Sequence, residues 1–416
     1  MTVLPSRHYF ALWTLILDGG GAFQELLAGE NGDFKEVGYR QQSASYIDGV
    51  IFEDTVYTDR VCLIIDAFAW NGGVFSYLNI NSEGEAKGGT NRSVAYGDGF
   101  CTIGGQKYLL LSSQNITGSD SHGTNNINNN TTRANFDYIA DIYGEKNQDG
   151  RYNIYHLEGT PNEYSGTGTA VDDSNLTVGE LSEYSLSADY ELYQNGVLQT
   201  VYQRSDDSTY TQTQVPMKIF YKDSALQMYN TSYLMQFYSD DNGVTWHTDK
   251  ILNGMVKPEN SRYFVTGPGQ GIQLKNGAHA GRILVPVYTQ ISGVSDIGNP
   301  ATAVIYSDDG GVTWQTGDVI PSTLGLHESA LVEMPNGGVK IFVRNTASSG
   351  GKYITATSTD GGESWHDVES ALGDSSAGTN CQISAIGLTT LVPDPDEPTK
   401  SYPALLMTTA YNKART

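Results

Sequence analysis

Basic residues are scarce in this chain: 24 lysines and arginines stand against 47 aspartates and glutamates, a formal charge of −23 over 416 residues. A surface this acidic repels phosphate backbones and anionic headgroups, which argues against nucleic acid and anionic membrane as partners. A small anionic ligand stays compatible, because salt screens the global field over about 8 Å and a local arginine cluster can then hold it. Cysteine is also scarce. Cys62, Cys101 and Cys381 are odd in number and lack CxxC spacing, so neither a disulfide framework nor a zinc site is expected. No apolar run reaches the roughly 18 residues of a spanning helix. The short run Phe10–Leu17 follows Arg7 and His8 and leads into Asp18-Gly-Gly-Gly, without a clean small-residue cleavage site. It reads as a buried strand, with a signal-peptide core as the other reading.

What the chain does have is glycine (47), tyrosine (27) and only 17% charged residues. That composition fits many short strands joined by polar turns, and the length allows one large closed β domain. The clearest pattern is an eight-residue frame, S-x-D-x-G-x-[TS]-W, found at Ser239–Trp246, Ser307–Trp314 and Ser358–Trp365. Each copy follows a strand-like run, so it reads as a strand, a turn and a buried Trp. The aspartate can accept hydrogen bonds from its own turn, the glycine adopts a backbone conformation that a Cβ opposes, and the Trp supplies apolar area. The boxes begin 68 and 51 residues apart (239, 307 and 358), which fits about four strands per repeat. They resemble the Asp-boxes of sialidase-type propellers, where such boxes are structural; no catalysis is assigned to them.

Between about Asn79 and Val215 the rhythm loosens, with a polar stretch at Gly123–Thr132. Strands are expected at Lys107–Leu111, Tyr152–His156 and Tyr190–Tyr202. Residues 79–215 read as a loop-rich elaborated blade or as a small insertion. From Val215 the rhythm is regular: a strand at Gly281–Tyr288 with Pro286 near its end, then Leu326–Met334, the turn Pro335–Gly338, and Val339–Arg344.

The segment GLHESALVEMPNGGVKIFVRN closely resembles the bacterial exo-α-sialidase segment in which a Glu precedes a strand, a turn and a strand ending in Arg. GPGQGIQLKNGAHAGRILVPVY resembles the family's segment between boxes. The resemblance covers nearly everything from about Pro216 to Thr416. It implies an all-β, six-bladed sialidase-type β-propeller, with about five blades represented in residues 1–416. It further implies retaining hydrolysis of terminal α-linked sialic acid from glycoconjugates by a tyrosine nucleophile, the exception to the two-carboxylate scheme. Three arginines of the family grip the substrate carboxylate, a task that suits the guanidinium fork.

Carried over by position, Glu328 activates the nucleophile, and Arg344 and Arg415 are the second and third arginines. Asp18, in LDGGGAFQELLAGENGDF, corresponds to the acid/base; a turn aspartate beside three glycines explains the same residue. Asp48, in SYIDGVIF, contacts the sugar and Tyr288 lines the pocket, with ordinary turn and packing roles as their other readings. The family's upstream Arg-Ile-Pro motif is absent, and Arg7 lies too close to Asp18 to replace it. The nucleophilic Tyr falls beyond Thr416, so the chain reads as truncated at both ends and, alone, as poorly active. No cofactor is implied. The resemblance implies a secreted or cell-surface parent protein. A non-catalytic propeller that binds sialosides or protein, and an intramolecular trans-sialidase that releases an anhydro sugar, remain the alternatives.

Overall fold

The computed structural model describes residues 44–47, 61–68, 95–114, 132–164, 171–204, 212–220, 224–229, 231–239, 247–266, 269–292, 300–345, 353–370, 383–387 and short stretches between 392 and 408. Strands dominate among these; the helical pieces, Arg133–Asn135 and Asn253–Val256, are single turns. The chain forms two compact units, residues 1–42 with 64–264 and residues 43–63 with 265–416.

In the first unit, eight strands make one sheet: β1 (Phe100–Ile103), β2 (Gln106–Ser112), β3 (Tyr138–Ala140), β4 (Tyr152–Glu158), β5 (Thr177–Leu186), β6 (Leu192–Gln194), β7 (Val197–Leu198) and β8 (Gln227–Met228). Their order is β8-β2-β3-β4-β5-β6-β7, with β1 also on β2. Leu110 and Ile139 pair across β2 and β3, and their face packs with Cys101, Tyr108, Phe136 and Tyr229. The strands expected at Lys107–Leu111 and Tyr152–His156 lie within β2 and β4. The single strand expected at Tyr190–Tyr202 is instead broken. Asn195 (φ 51°) and Gly196 (φ 77°) form a two-residue turn between Gln194 and Val197, and an Asn-Gly pair is suited to the positive φ such a turn requires. Arg133, fully buried, forms a two-pronged pair with Asp173 (both N···O 3.0 Å) and donates to the carbonyls of Asn162 and Phe100. A buried cation needs such a set of acceptors to offset its lost hydration. Further on, β9 (Ser232–Ser239) pairs antiparallel with β10 (His247–Ile251), and residues 240–246 of the first box lie outside the described residues.

In the second unit, β11 (Ile283–Ile291), β12 (Ala301–Ser307) and β13 (Gln315–Thr316) run antiparallel in sequence order. β14 (Leu326–Glu333), β15 (Val339–Asn345), β16 (Ile354–Ser358) and β17 (His366–Ser370) form a four-stranded antiparallel sheet in the same manner. Pro286 pairs with Val304 in mid-strand, because β11 continues past Tyr288 through Thr289, Gln290 and Ile291. Leu284, Val304, Ile341, Val343, Ala356 and Trp365 share one core between these two sheets.

The second box joins β12 to β13 and the third joins β16 to β17, and the two are built alike. Asp309 accepts from Thr313 N (2.8 Å), Thr313 Oγ1 (2.6 Å) and Ser307 Oγ (2.8 Å). Asp360 accepts from Ser364 N (3.0 Å), Ser364 Oγ (2.5 Å) and Ser358 Oγ (2.7 Å). Gly311 (φ 91°) and Gly362 (φ 90°) donate to the box serines, and a Cβ on Gly362 would press on Leu284 Cδ2 at 3.2 Å. Partial burial opposes ionisation of both aspartates, but the hydrogen bonds prevail, lowering Asp309 and holding Asp360 at about 2. Arg282 then fastens the boxes together: it pairs with Asp308 (2.7 Å) and Glu363 (2.8 Å) and donates to the carbonyls of Asp360 and Gly361.

Candidate active site

The register of the second unit separates the boxes from the residues of interest. Val339 pairs with Ser358, where the third box begins, and Arg344 lies five residues along β15 toward the other end. At about 3.3 Å per residue, that is roughly 16 Å. The neighbouring sheet repeats the arrangement: Ile283 pairs with Ser307 of the second box, and Tyr288 lies five residues on, opposite Thr302. Within each sheet the boxes thus occupy one edge, and Arg344 or Tyr288 the opposite one.

At that opposite edge the ladder between β14 and β15 is irregular. Leu326 pairs with Asn345 and Ser329 with Val343, so His327 and Glu328 together face the single residue Arg344. Two residues against one is a β-bulge, which turns side chains away from strict alternation. The consequence is direct: Arg344 Nη1 donates to Glu328 Oε2 at 2.5 Å, with both side chains about one-sixth exposed (16% and 17%). A guanidinium in this state carries five N–H donors in a planar fork, a group suited to a carboxylate.

His327, which sequence reasoning did not single out, occupies the other bulge position. Its ring stacks on Tyr288, with centroids 4.0 Å apart and planes 29° apart. Its carbonyl accepts from Thr302 Oγ1 at 2.8 Å, which ties β14 to β12. Burial lowers the imidazole from 6.5 to about 4, Glu328 opposing the shift and Arg344 adding to it. The ring is therefore neutral near pH 7. Among the described residues Nδ1 is buried without a hydrogen-bond partner; the proton is then assigned to Nε2, since a lone buried acceptor is the better tolerated defect. Tyr288 is packed beneath this ring and only 6% exposed.

Of the residues singled out from sequence, the structure brings Glu328 and Arg344 into contact and places Tyr288 against the residue preceding Glu328. Asp18, Asp48 and Arg415 lie outside the described residues, as does Arg7; Asp48 directly follows the strand Ala44–Ile47, which pairs in parallel with Gly269–Gln270. Arg282, the buried arginine among the described residues of this unit, is occupied by two carboxylates and two carbonyls at the box edge. It is structural. The signal that could have pointed to His327 is its place beside Glu328, but the bulge and the Tyr288 contact are not written in the local sequence.

Residues 203–398 match the BNR repeat-like domain. The chain is 32% identical over 351 residues to an anhydrosialidase of Macrobdella decora, covering 83% of this chain and 37% of that protein. It is 37% identical over 130 residues to a sialidase of Micromonospora viridifaciens, covering 31% of this chain and 19% of the relative. Its structure resembles that of an intramolecular trans-sialidase from Ruminococcus gnavus in complex with oseltamivir carboxylate, with a TM-score of 0.54 and 30% identity over 88% of this chain and 62% of that one. The chain thus spans about a third of the anhydrosialidase's length. The fold is of the sialidase β-propeller type, and the box geometry agrees with the similarity to sialidases that these matches record over most of the chain.

Proposed function

We propose that this chain builds part of a site that cleaves terminal α-linked sialic acid from glycoconjugates. The observation that carries the reading is the meeting of Glu328 and Arg344 at the sheet edge opposite the boxes. A propeller that only bound partners through its rim would have no need of this pair. In the proposed reaction Arg344 receives the sugar carboxylate, with Arg415 as a second guanidinium. Glu328 takes the proton of a tyrosine nucleophile, which attacks the anomeric carbon; no position of this chain is assigned to that tyrosine. A neutral nucleophile paired with a base avoids bringing a second carboxylate toward a carbon that already bears one. Asp18 protonates the departing glycoside oxygen and later acts as base. Asp48 contacts the sugar, and Tyr288 supports the pocket from below.

Two fates of the tyrosyl-linked sugar are chemically open. Attack by water gives free sialic acid with retained configuration, whereas attack by one of the sugar's own hydroxyls gives an anhydro sugar. The second fate is favoured by one observation: the relatives aligned over most of this chain include an anhydrosialidase and intramolecular trans-sialidases, beside a sialidase of Streptococcus pneumoniae. The testing experiment is turnover of a fluorogenic sialoside by this chain and by a form extended at both ends, with the sugar product identified by mass. Free sugar supports hydrolysis, and a product lighter by one water supports intramolecular transfer. Binding without turnover in the extended form would make the site a lectin.

A further inference from the structure

The bulge carries two side chains against Arg344, and the proposed chemistry uses only Glu328. His327 has the contacts of a residue that holds the site in place. It is joined through its ring to Tyr288 on β11, through its carbonyl to Thr302 on β12, and through its own peptide bond to Glu328 on β14. Those strands belong to two neighbouring sheets of one unit. In a bulge the extra residue is left out of the regular ladder, so its position depends on side-chain and tertiary contacts more than that of its neighbours does. The ring stack and the Thr302 hydrogen bond supply such contacts on the two sides of His327.

We propose that His327 is a positioning residue of the candidate active site, its ring clamped on Tyr288 so that the bulge presents Glu328 to Arg344 and to the nucleophile. The inference rests on the sialidase reading of that site. Neutrality has a physical purpose here. A cation on His327 would compete with Arg344 for Glu328 and alter the field in which the substrate carboxylate is received. Among the described residues, the charged groups that act on the ring are Glu328 on its own strand and Arg344 on β15, and the phenol ring of Tyr288 on β11 stacks on it. Nδ1, buried without a partner among the described residues, does not hold the ring. The role therefore lies in the flat shape of the ring and its stacking, so a flat apolar ring should replace it.

The test compares His327→Phe, His327→Asn and His327→Ala in the full-length protein, with fluorogenic sialoside turnover and thermal melting measured for each. His327→Ala and His327→Asn lose the stack and are expected to lower kcat/KM by about tenfold to a hundredfold, the scale of a sub-ångström to ångström misplacement of a reacting group. His327→Phe is expected to restore activity to within about threefold of the unaltered protein, since aromatic stacking does not need the nitrogens. A double-mutant cycle with Tyr288→Leu separates positioning from general destabilisation. If the ring acts through Tyr288, the two truncations together cost little more than either alone, whereas independent effects would add. Should His327→Ala fail to fold, the Phe and Asn pair decides the matter, because the two differ in the stack. Equal activity of the Phe and Asn variants, or additive effects in the cycle, overturns the positioning role and leaves the sialidase reading intact. Absence of turnover in the unaltered full-length protein overturns the sialidase reading, and this inference with it.

Discussion

Arg344 Nη1 and Glu328 Oε2 lie 2.5 Å apart because the strand carrying Glu328 has one residue too many for its partner. In a regular ladder His327 and Glu328 would point to opposite faces of the sheet, and only one of them could meet Arg344. With the bulge, both belong to one site.

Glu328→Gln keeps the shape and removes the base. The expected loss in kcat is about 10²-fold to 10⁴-fold, the usual contribution of a positioned general base. Turnover of a fluorogenic sialoside measures it, and a variant as fast as the parent would remove Glu328 from the chemistry.

Arg344→Lys keeps the charge but replaces a planar fork by a single ammonium. A rise in KM of about tenfold is expected, since hydrogen bonds to charged groups contribute roughly 1.5–3 kcal/mol and only part of that is lost. Steady-state kinetics over a range of sialoside concentrations reads it directly. An unchanged KM would place the substrate carboxylate elsewhere.

Asp360→Ala should act on stability alone. It orphans the donors of Ser364, Ser358 and Glu363 in the third box. The expected cost is about 1–3 kcal/mol, seen as a lower melting temperature, with KM unchanged in the folded protein because the box lies at the sheet edge away from Arg344. A shift in KM would argue against a purely structural box.

Acid should destabilise the second unit in two separate steps. Burial keeps His327 at about 4 in the folded chain against 6.5 ordinarily. As pH falls between about 6.5 and 4 the unfolded chain takes up a proton that the folded chain refuses, so stability declines, and the loss levels off once the folded form is protonated too. Asp360 contributes stability above 3.8 that is lost as pH falls toward about 2. Melting curves from pH 7 to 2 for the parent and for His327→Phe test the first step. The Phe variant should show a shallower decline between pH 6.5 and 4, and an identical slope would assign the decline to other groups.

Much of this protein is determined by its sequence acting locally. The second and third boxes each close through hydrogen bonds spanning five residues or fewer, such as Ser307 to Gly311 and Asp309 to Thr313, so repeats of one frame are enough to announce such a turn. The Asn195-Gly196 turn is local in the same way, although the sequence reading passed over it and expected an unbroken strand. Strand positions such as Val339–Asn345 follow from apolar composition and turn spacing. The resemblance to sialidases then singled out Glu328 and Arg344, but as two positions sixteen residues apart, with no statement of how they meet. What only the tertiary structure decided was register and contact. The bulge depends on how β14 pairs with β15, and the Tyr288–His327 stack joins residues of different sheets. Nor does residue type distinguish Arg282, which is consumed by Asp308 and Glu363, from Arg344, which faces Glu328. The reason is physical: a local pattern specifies the turn it closes, whereas the neighbours of a side chain at a sheet edge are set by long-range pairing and packing that no short stretch of sequence contains.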